Sequence, residues 1–320
     1  MNADDQQQAL MRLRSYLEAD PDNVPLLRDC AEAALAAADV AFADECYERL
    51  AGLGDLSESD ASAAAVAAMR SGRNGRAVAL LEPLVARHPG DAALRFNLAW
   101  SLALDHQPDR AADLLDDATT GALPQAAMLE LQLRHERGDF DGAVERVAPY
   151  LAAHADYAPL QAAVSVLAMD VDDEDLARRA AVAGGDHPDA LTTLGTLTLG
   201  DGDAAAAREM LERALTLNAR SPRAWMGLGL ANLGLGATSE ALAQIDRGAE
   251  MFGDHLGSWI AAGWAHLISG DVGTAEARFL TAMALDDNFA ECHGSLATIQ
   301  ALKGEREAAE RSTLVALRLD

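Results

Sequence analysis

A single lysine, Lys303, stands among 320 residues that carry 51 aspartates and glutamates, and the formal net charge is −26. A molecule of that sign repels phosphate backbones and anionic headgroups, so nucleic acid and membrane surfaces are excluded as principal partners. One lysine outside any phosphate-loop motif leaves no P-loop and no lysine cluster for Schiff-base chemistry. Aromatic residues are scarce as well, at 4%. Three cysteines (Cys30, Cys46, Cys292) make no disulfide framework and point to a reducing compartment. Long apolar runs are missing: the most apolar stretch, residues 256–269, is too short to cross a bilayer and contains His266. Residues 1–20 lack the apolar centre of a secretory leader, and a cytoplasmic protein is the expectation.

What the chain has in excess is alanine. Half of its residues are hydrophobic, and alanine is the best helix former because it loses no side-chain entropy on folding. An all-α protein with closely spaced helices is therefore expected. Self-comparison sharpens this. Gly202, Gly236, Gly270 and Gly304 recur every 34 residues, and Ala207, Ala241, Ala275 and Ala309 do the same. Leu194, Leu228, Ala262 and Leu296 form a third series, with Gly195, Gly229, Gly263 and Ala297 one residue behind. Several registers in phase mark a repeat architecture. Each period reads as two amphipathic helices. In residues 222–255, Trp225, Leu228, Gly229 and Asn232 lie on the first, Gly236 stops it, Ser239 is placed to cap the second, and Ala241, Ile245 and Gly248 form the second inner face.

These residues resemble the tetratricopeptide repeat. Trp225, Leu228, Gly229, Ala241 and Ile245 fall on its Trp, Leu-Gly, Ala and Phe positions, while Asn232 and Gly248 depart from its Tyr and second Ala. The register extends backwards through Ala43, Ala77 and Ala111, and through Tyr47, Leu81 and Leu115. Residues 124–157 sit two residues out of step, and 158–187 are about four short. Nine helical pairs are expected, beginning near 24, 58, 92, 124, 158, 188, 222, 256 and 290. Residues 1–23 form a leading half repeat, 24–187 are degenerate repeats, and 188–320 hold four regular ones. The resemblance implies one continuous right-handed superhelical solenoid whose concave face is lined by first helices.

Catalytic and metal signatures fail on inspection. The run Asp170-Val-Asp172-Asp173-Glu174-Asp175 looks like the start of a calcium loop but has Asp175 and Ala181 where Gly and Glu are needed. His135-Glu136 lacks the second histidine of a zinc helix, because residue 139 is Asp. Gly227-Leu-Gly229 and Gly234-Leu-Gly236 follow no strand, so a dinucleotide fingerprint fails. No enzyme activity, cofactor or metal is expected.

The resemblance also implies that the second, fifth, ninth and twelfth positions of each first helix face the groove. There the chain places an apolar stripe of Val66, Met69, Phe96, Trp100, Met128, Val166, Met169, Met226, Leu230, Ile260 and Trp264. Trp225 and Trp259 sit at the family's structural Trp position and are expected to pack. Members of the family that hold the C-terminal carboxylate of Hsp70 and Hsp90 use Lys, Asn and Arg in the groove. Here Arg28 and Arg223 supply the positive charge, in distant repeats, and Asn97 is the one match to that clamp. The expected partner is instead a protein segment, helical or extended, that is apolar and possibly basic, bound to a scaffold or chaperone-like adaptor, as in bacterial assembly systems that use such proteins. A homodimer through Leu314, Val315 and Leu317 of the last helix is the alternative, and an accessory module of an enzyme a further one.

Overall fold

The computed structural model describes residues 3–54 and 56–319. Among them the chain is helical, with twenty helices and no strand. The helix α1 (Ala3–Ala19) leads. The pairs then run α2 (Val24–Ala36) with α3 (Val40–Gly52), α4 (Glu58–Arg70) with α5 (Asn74–Arg87), and α6 (Ala92–Leu104) with α7 (Pro108–Ala112) and α8 (Asp117–Ala122). Next come α9 (Pro124–Glu136) with α10 (Phe140–Ala153), α11 (Ala158–Asp170) with α12 (Glu174–Gly184), and α13 (Pro188–Gly200) with α14 (Ala204–Leu217). The last three are α15 (Pro222–Gly234) with α16 (Thr238–Phe252), α17 (Leu256–Ile268) with α18 (Val272–Leu285), and α19 (Ala290–Leu302) with α20 (Arg306–Leu319). Every pair starts at the residue its register predicts.

The turn inside each pair explains this regularity. Gly72, Gly138, Gly202, Gly236, Gly270 and Gly304 have φ between +71° and +91°, the left-handed conformation that lets a chain reverse between helices. The corresponding turns of the first, third and fifth pairs hold Ala38, His106 and Asp172 at φ +59°, +59° and +57°. In five pairs the next residue is an aspartate (Asp39, Asp139, Asp173, Asp203, Asp271) whose carboxylate accepts a backbone N–H of the second helix. Part of the acid excess is thus capping chemistry. Ser239 does not cap α16: that helix begins two residues earlier, with Ala237 at its N-cap and no side-chain bond there.

The chain forms two compact units, residues up to Ala155 and from Asp156 onward. In the first, α1 packs on α2, α3 on α4 and α5 on α6. The second helix of the third pair is broken, yet Ala111 and Leu115 keep their register and stay buried. Arg95 bridges the break: its Nε and Nη2 donate to the Leu114 carbonyl (3.1 and 2.8 Å), and it also reaches Thr119 Oγ1 and the Asp116 carboxylate. Carbonyls that a continuous helix would satisfy are met by a guanidinium instead.

In the second unit the first helices touch in sequence from α11 to α17, α11 with α13, α13 with α15 and α15 with α17. Small residues permit the spacing. A Cβ on Gly229 would lie 2.5 Å from Ile245 Cγ1 and 2.8 Å from the Ala241 carbonyl oxygen. The core follows the period: Leu211, Ile245 and Phe279, 34 residues apart, are all 0% exposed. Each contributes roughly 1.5–3 kcal/mol by burial. One period later stands Thr313, exposed.

An ion cluster ties the seventh pair to the eighth. Arg278 donates to both Asp246 oxygens (2.8 and 2.9 Å), and buried His266 places Nε2 3.1 Å from Asp246 and Nδ1 3.4 Å from Asp271. Burial alone would raise the Asp246 carboxyl, but the bonds and charges of Arg278 and His266 outweigh it and hold the carboxyl below its ordinary value. A group depressed in the folded state stabilises at neutral pH and loses that contribution as pH falls through its folded pKa. Asp246→Asn is therefore expected to cost about 1.5–3 kcal/mol at pH 7 and progressively less as pH falls below about 4, the ordinary carboxylate value. Urea midpoints across that range check it, and a constant difference would contradict the assignment.

Candidate functional site: an apolar groove on the first helices of the second unit

The first helices α11, α13 and α15, with the loop between α16 and α17, enclose a groove of about 340 Å³. Val166 and Met169 come from α11, Met226 and Leu230 from α15, Phe252 from the end of α16 and His255 from the loop that follows. Between them α13 contributes Thr192, Thr193 and Thr196, polar by name but spent internally. Thr192 Oγ1 donates to the Pro188 carbonyl (2.8 Å) and Thr196 Oγ1 to the Thr192 carbonyl (2.9 Å), so both hydroxyl protons are used within the helix. Buried Thr193 accepts from Ser165 Oγ at 3.1 Å. The groove is accordingly more apolar than its letters.

Its charges lie at the edges. Asp170 and Arg223 pair across it, Oδ2 to Nη2, at 2.7 Å. Asp189, at the start of α13, completes the acidic side. His255 caps α17 by accepting the Ser258 N–H at Nδ1 (3.2 Å), and its ring stacks 5.0 Å from Phe252. Of the expected residues, Val166, Met169, Met226 and Leu230 come together here; Leu230 is 39% exposed and the other three half-buried. Phe252 at the end of α16 and His255 in the next loop carry no groove signal in the sequence, because the expected positions lie on first helices alone. Asp189 occupies a second position and was within its reach.

Ile260 is a correction: it is 4% exposed and its side chain belongs to the core cluster with Trp259, Phe279 and Ile299. Trp264 is half-buried and meets Phe279 edge-on at 5.5 Å. In the first unit Met69, Phe96 and Trp100 are half-buried against one core cluster, with the two rings 6.0 Å apart, and Val66 and Met128 are half-buried on α4 and α9. Trp225 and Trp259 pack as expected. Each indole donates to a loop carbonyl six residues back (Ala219 at 3.0 Å, Gly253 at 2.7 Å) and lies under an arginine, Arg247 or Arg278. On α20, Leu314, Val315 and Leu317 are 55%, 37% and 69% exposed.

The arginines at groove positions are committed to acids. Arg28 Nε lies 3.0 Å from Asp60 Oδ2, as Arg223 does on Asp170 at 2.7 Å. Neither forms an unopposed clamp for a terminal carboxylate. The acidic run at 170–175 is likewise structural at its centre, where Asp173 caps α12 by accepting from Leu176 N. Cys292 is buried, and His293 Nε2 contacts the Asp287 carbonyl at 2.7 Å. Burial first, and then neighbouring Cys30, pushes the Cys46 thiol up to about 12, far from a reactive thiolate. Among the described residues no helix is long and apolar enough to cross a membrane, and no His, Cys, Asp and Glu side chains group to hold a metal.

No curated protein matches the sequence. Among solved structures, a chain of the APC/C hetero-tetramer Cut9–Hcn1 aligns with TM-score 0.64 at 16% identity, covering 92% of this chain and 58% of that one. This chain thus spans little more than half of its length. The type IV pilus biogenesis factor PilW aligns with TM-score 0.50 at 13% identity, covering 59% of this chain and 90% of that one. At such identities the likeness is one of fold. The family model for the tetratricopeptide repeat matches residues 62–127 and 192–254. Those matches, one in each unit, identify tetratricopeptide repeats within a run of nine helical pairs whose starts are mostly 34 residues apart.

Proposed function

We propose that the chain is a non-catalytic scaffold or adaptor that holds an apolar segment of a partner protein in the groove of its second unit. The observation that carries this is the convergence of Val166, Met169, Met226 and Leu230 on one groove, beside threonines whose hydroxyls donate within their own helix. Apolar side chains at the mouth of a preformed groove gain from being covered, and methionine adapts to varied shapes. The aligned structures are consistent with such work, since one is a subunit of a named assembly and the other a biogenesis factor.

The test uses an array of synthetic 15-residue peptides, amphipathic and apolar sequences beside polar controls, probed with the full chain. The wild type is expected to retain the apolar members. Leu230→Glu, at a 39% exposed position where a carboxylate costs folding little, is expected to weaken that binding at least about ten-fold by setting a charge against apolar surface. Met226→Glu serves as a second variant from the groove's other depth. Retention unchanged in both variants would move the working surface elsewhere.

A further inference from the structure

We infer that the groove selects segments in which a cationic residue accompanies the apolar ones, and that the Asp189 carboxylate is the group that receives it. This rests on the groove reading above and adds a charge rule to it. Most polar groups around the cavity are already engaged. The Thr192 and Thr196 hydroxyls donate to their own helix, and His255 Nδ1 accepts from Ser258 N. Asp170 and Arg223 offset each other at 2.7 Å.

Asp189 is different. Its ion-pair neighbour is His187 Nδ1, 3.8 Å away, and that nitrogen already accepts the N–H of Asp189 itself at 3.3 Å. A ring nitrogen that accepts has no proton to share. Among the described residues no donor is bonded to the Asp189 carboxylate, and its side chain is 45% exposed beside Thr192 at the rim. An arriving carboxylate would face Arg223 only alongside Asp170 and Asp189. An arriving ammonium or guanidinium meets an acceptor with capacity to spare, in the field of a protein of charge −26.

Two fluorescein-labelled 15-residue peptides test the rule. They share one Leu/Met/Phe face and differ in carrying lysines or glutamates beside it. Read by fluorescence anisotropy on the full chain, the lysine peptide is expected to bind about ten-fold tighter. Asp189→Asn should weaken the lysine peptide about five-fold and leave the glutamate peptide within about two-fold, and Asp189→Lys should reverse the order. Glu209→Gln, the same charge change on α14 outside the groove, should move neither. If Asp189→Asn and Glu209→Gln weaken the lysine peptide equally, the preference belongs to the overall field and the charge rule falls, while the groove reading stands as long as Leu230→Glu still blocks. If neither peptide binds, or Leu230→Glu is without effect on both, the groove reading falls and takes the rule with it.

Discussion

Phe279→Ala is expected to remove about 3–5 kcal/mol of stability, the range for truncating a fully buried aromatic. The site is unusually unforgiving because of what lies opposite. Phe279 is 0% exposed, and its ring occupies the space a side chain at Gly263 would take: a Cβ built there would lie 2.4 Å from Phe279 Cε1 and 2.5 Å from Cδ1. Truncation therefore leaves a hole with glycine on one wall and Trp264, which meets the ring edge-on, on another. The same geometry predicts coupling. Gly263→Ala alone should destabilise by overpacking, about 1–3 kcal/mol, whereas in the Phe279→Ala background it should be close to neutral because it partly refills the cavity. Urea denaturation followed by far-UV circular dichroism, with hydrogen exchange over α17–α19, measures both. Additive losses would show that α17 and α18 are not spaced as described.

Asp44→Asn should be nearly as costly, about 3–5 kcal/mol, the usual loss on breaking a buried ion pair from one side. Asp44 is 0% exposed on α3, where its Oδ2 meets Arg73 Nη2 and its Oδ1 lies 3.0 Å from Arg76 Nε. Both arginines also share Glu48 Oε1, at 2.8 and 2.6 Å. The cluster joins the second helix of one repeat to the turn of the next. Because the arginine side chains are 39% and 25% exposed, they can be rescued by water and by Glu48, which places the loss toward the lower end. Glu48→Gln, whose carboxylate is 45% exposed, should cost less than about 1 kcal/mol. Equal effects of the two substitutions in chemical denaturation would contradict a buried, polarised role for Asp44.

The contrast between these sites and the groove shows what the sequence discloses. A repeat multiplies every local signal, so Leu211, Ile245 and Phe279 could be recognised as core from spacing alone, and the helix starts followed from the same arithmetic. Breaks in the pattern were visible only as missing residues. That Arg95 fills the gap in the third pair depends on a side chain crossing between segments about twenty residues apart, which no periodicity encodes. The groove was half legible. Val166, Met169, Met226 and Leu230 carry first-helix spacing; Phe252 and His255 reach it from the end of α16 and the loop after it. Ile260 shares the spacing of Met226 yet is buried, because a helix position faces a groove only where the neighbouring helices leave one. Nor does a threonine announce that its hydroxyl is turned back onto its own helix.

The three left-handed turns without glycine carry a consequence for evolvability. Ala38 has neither the freedom of glycine nor a polar side chain to ease φ +59°, and His106 shares that angle in the third pair. Neither repeat contributes a residue to the groove, so unspent stability sits in positions silent to recognition. A lineage, or a designer, that adopts glycine there gains tolerance for new groove linings that would otherwise fall below the threshold for folding. The capacity to acquire a different partner is in this sense stored in the turns, at a distance along the chain from the surface that would do the binding.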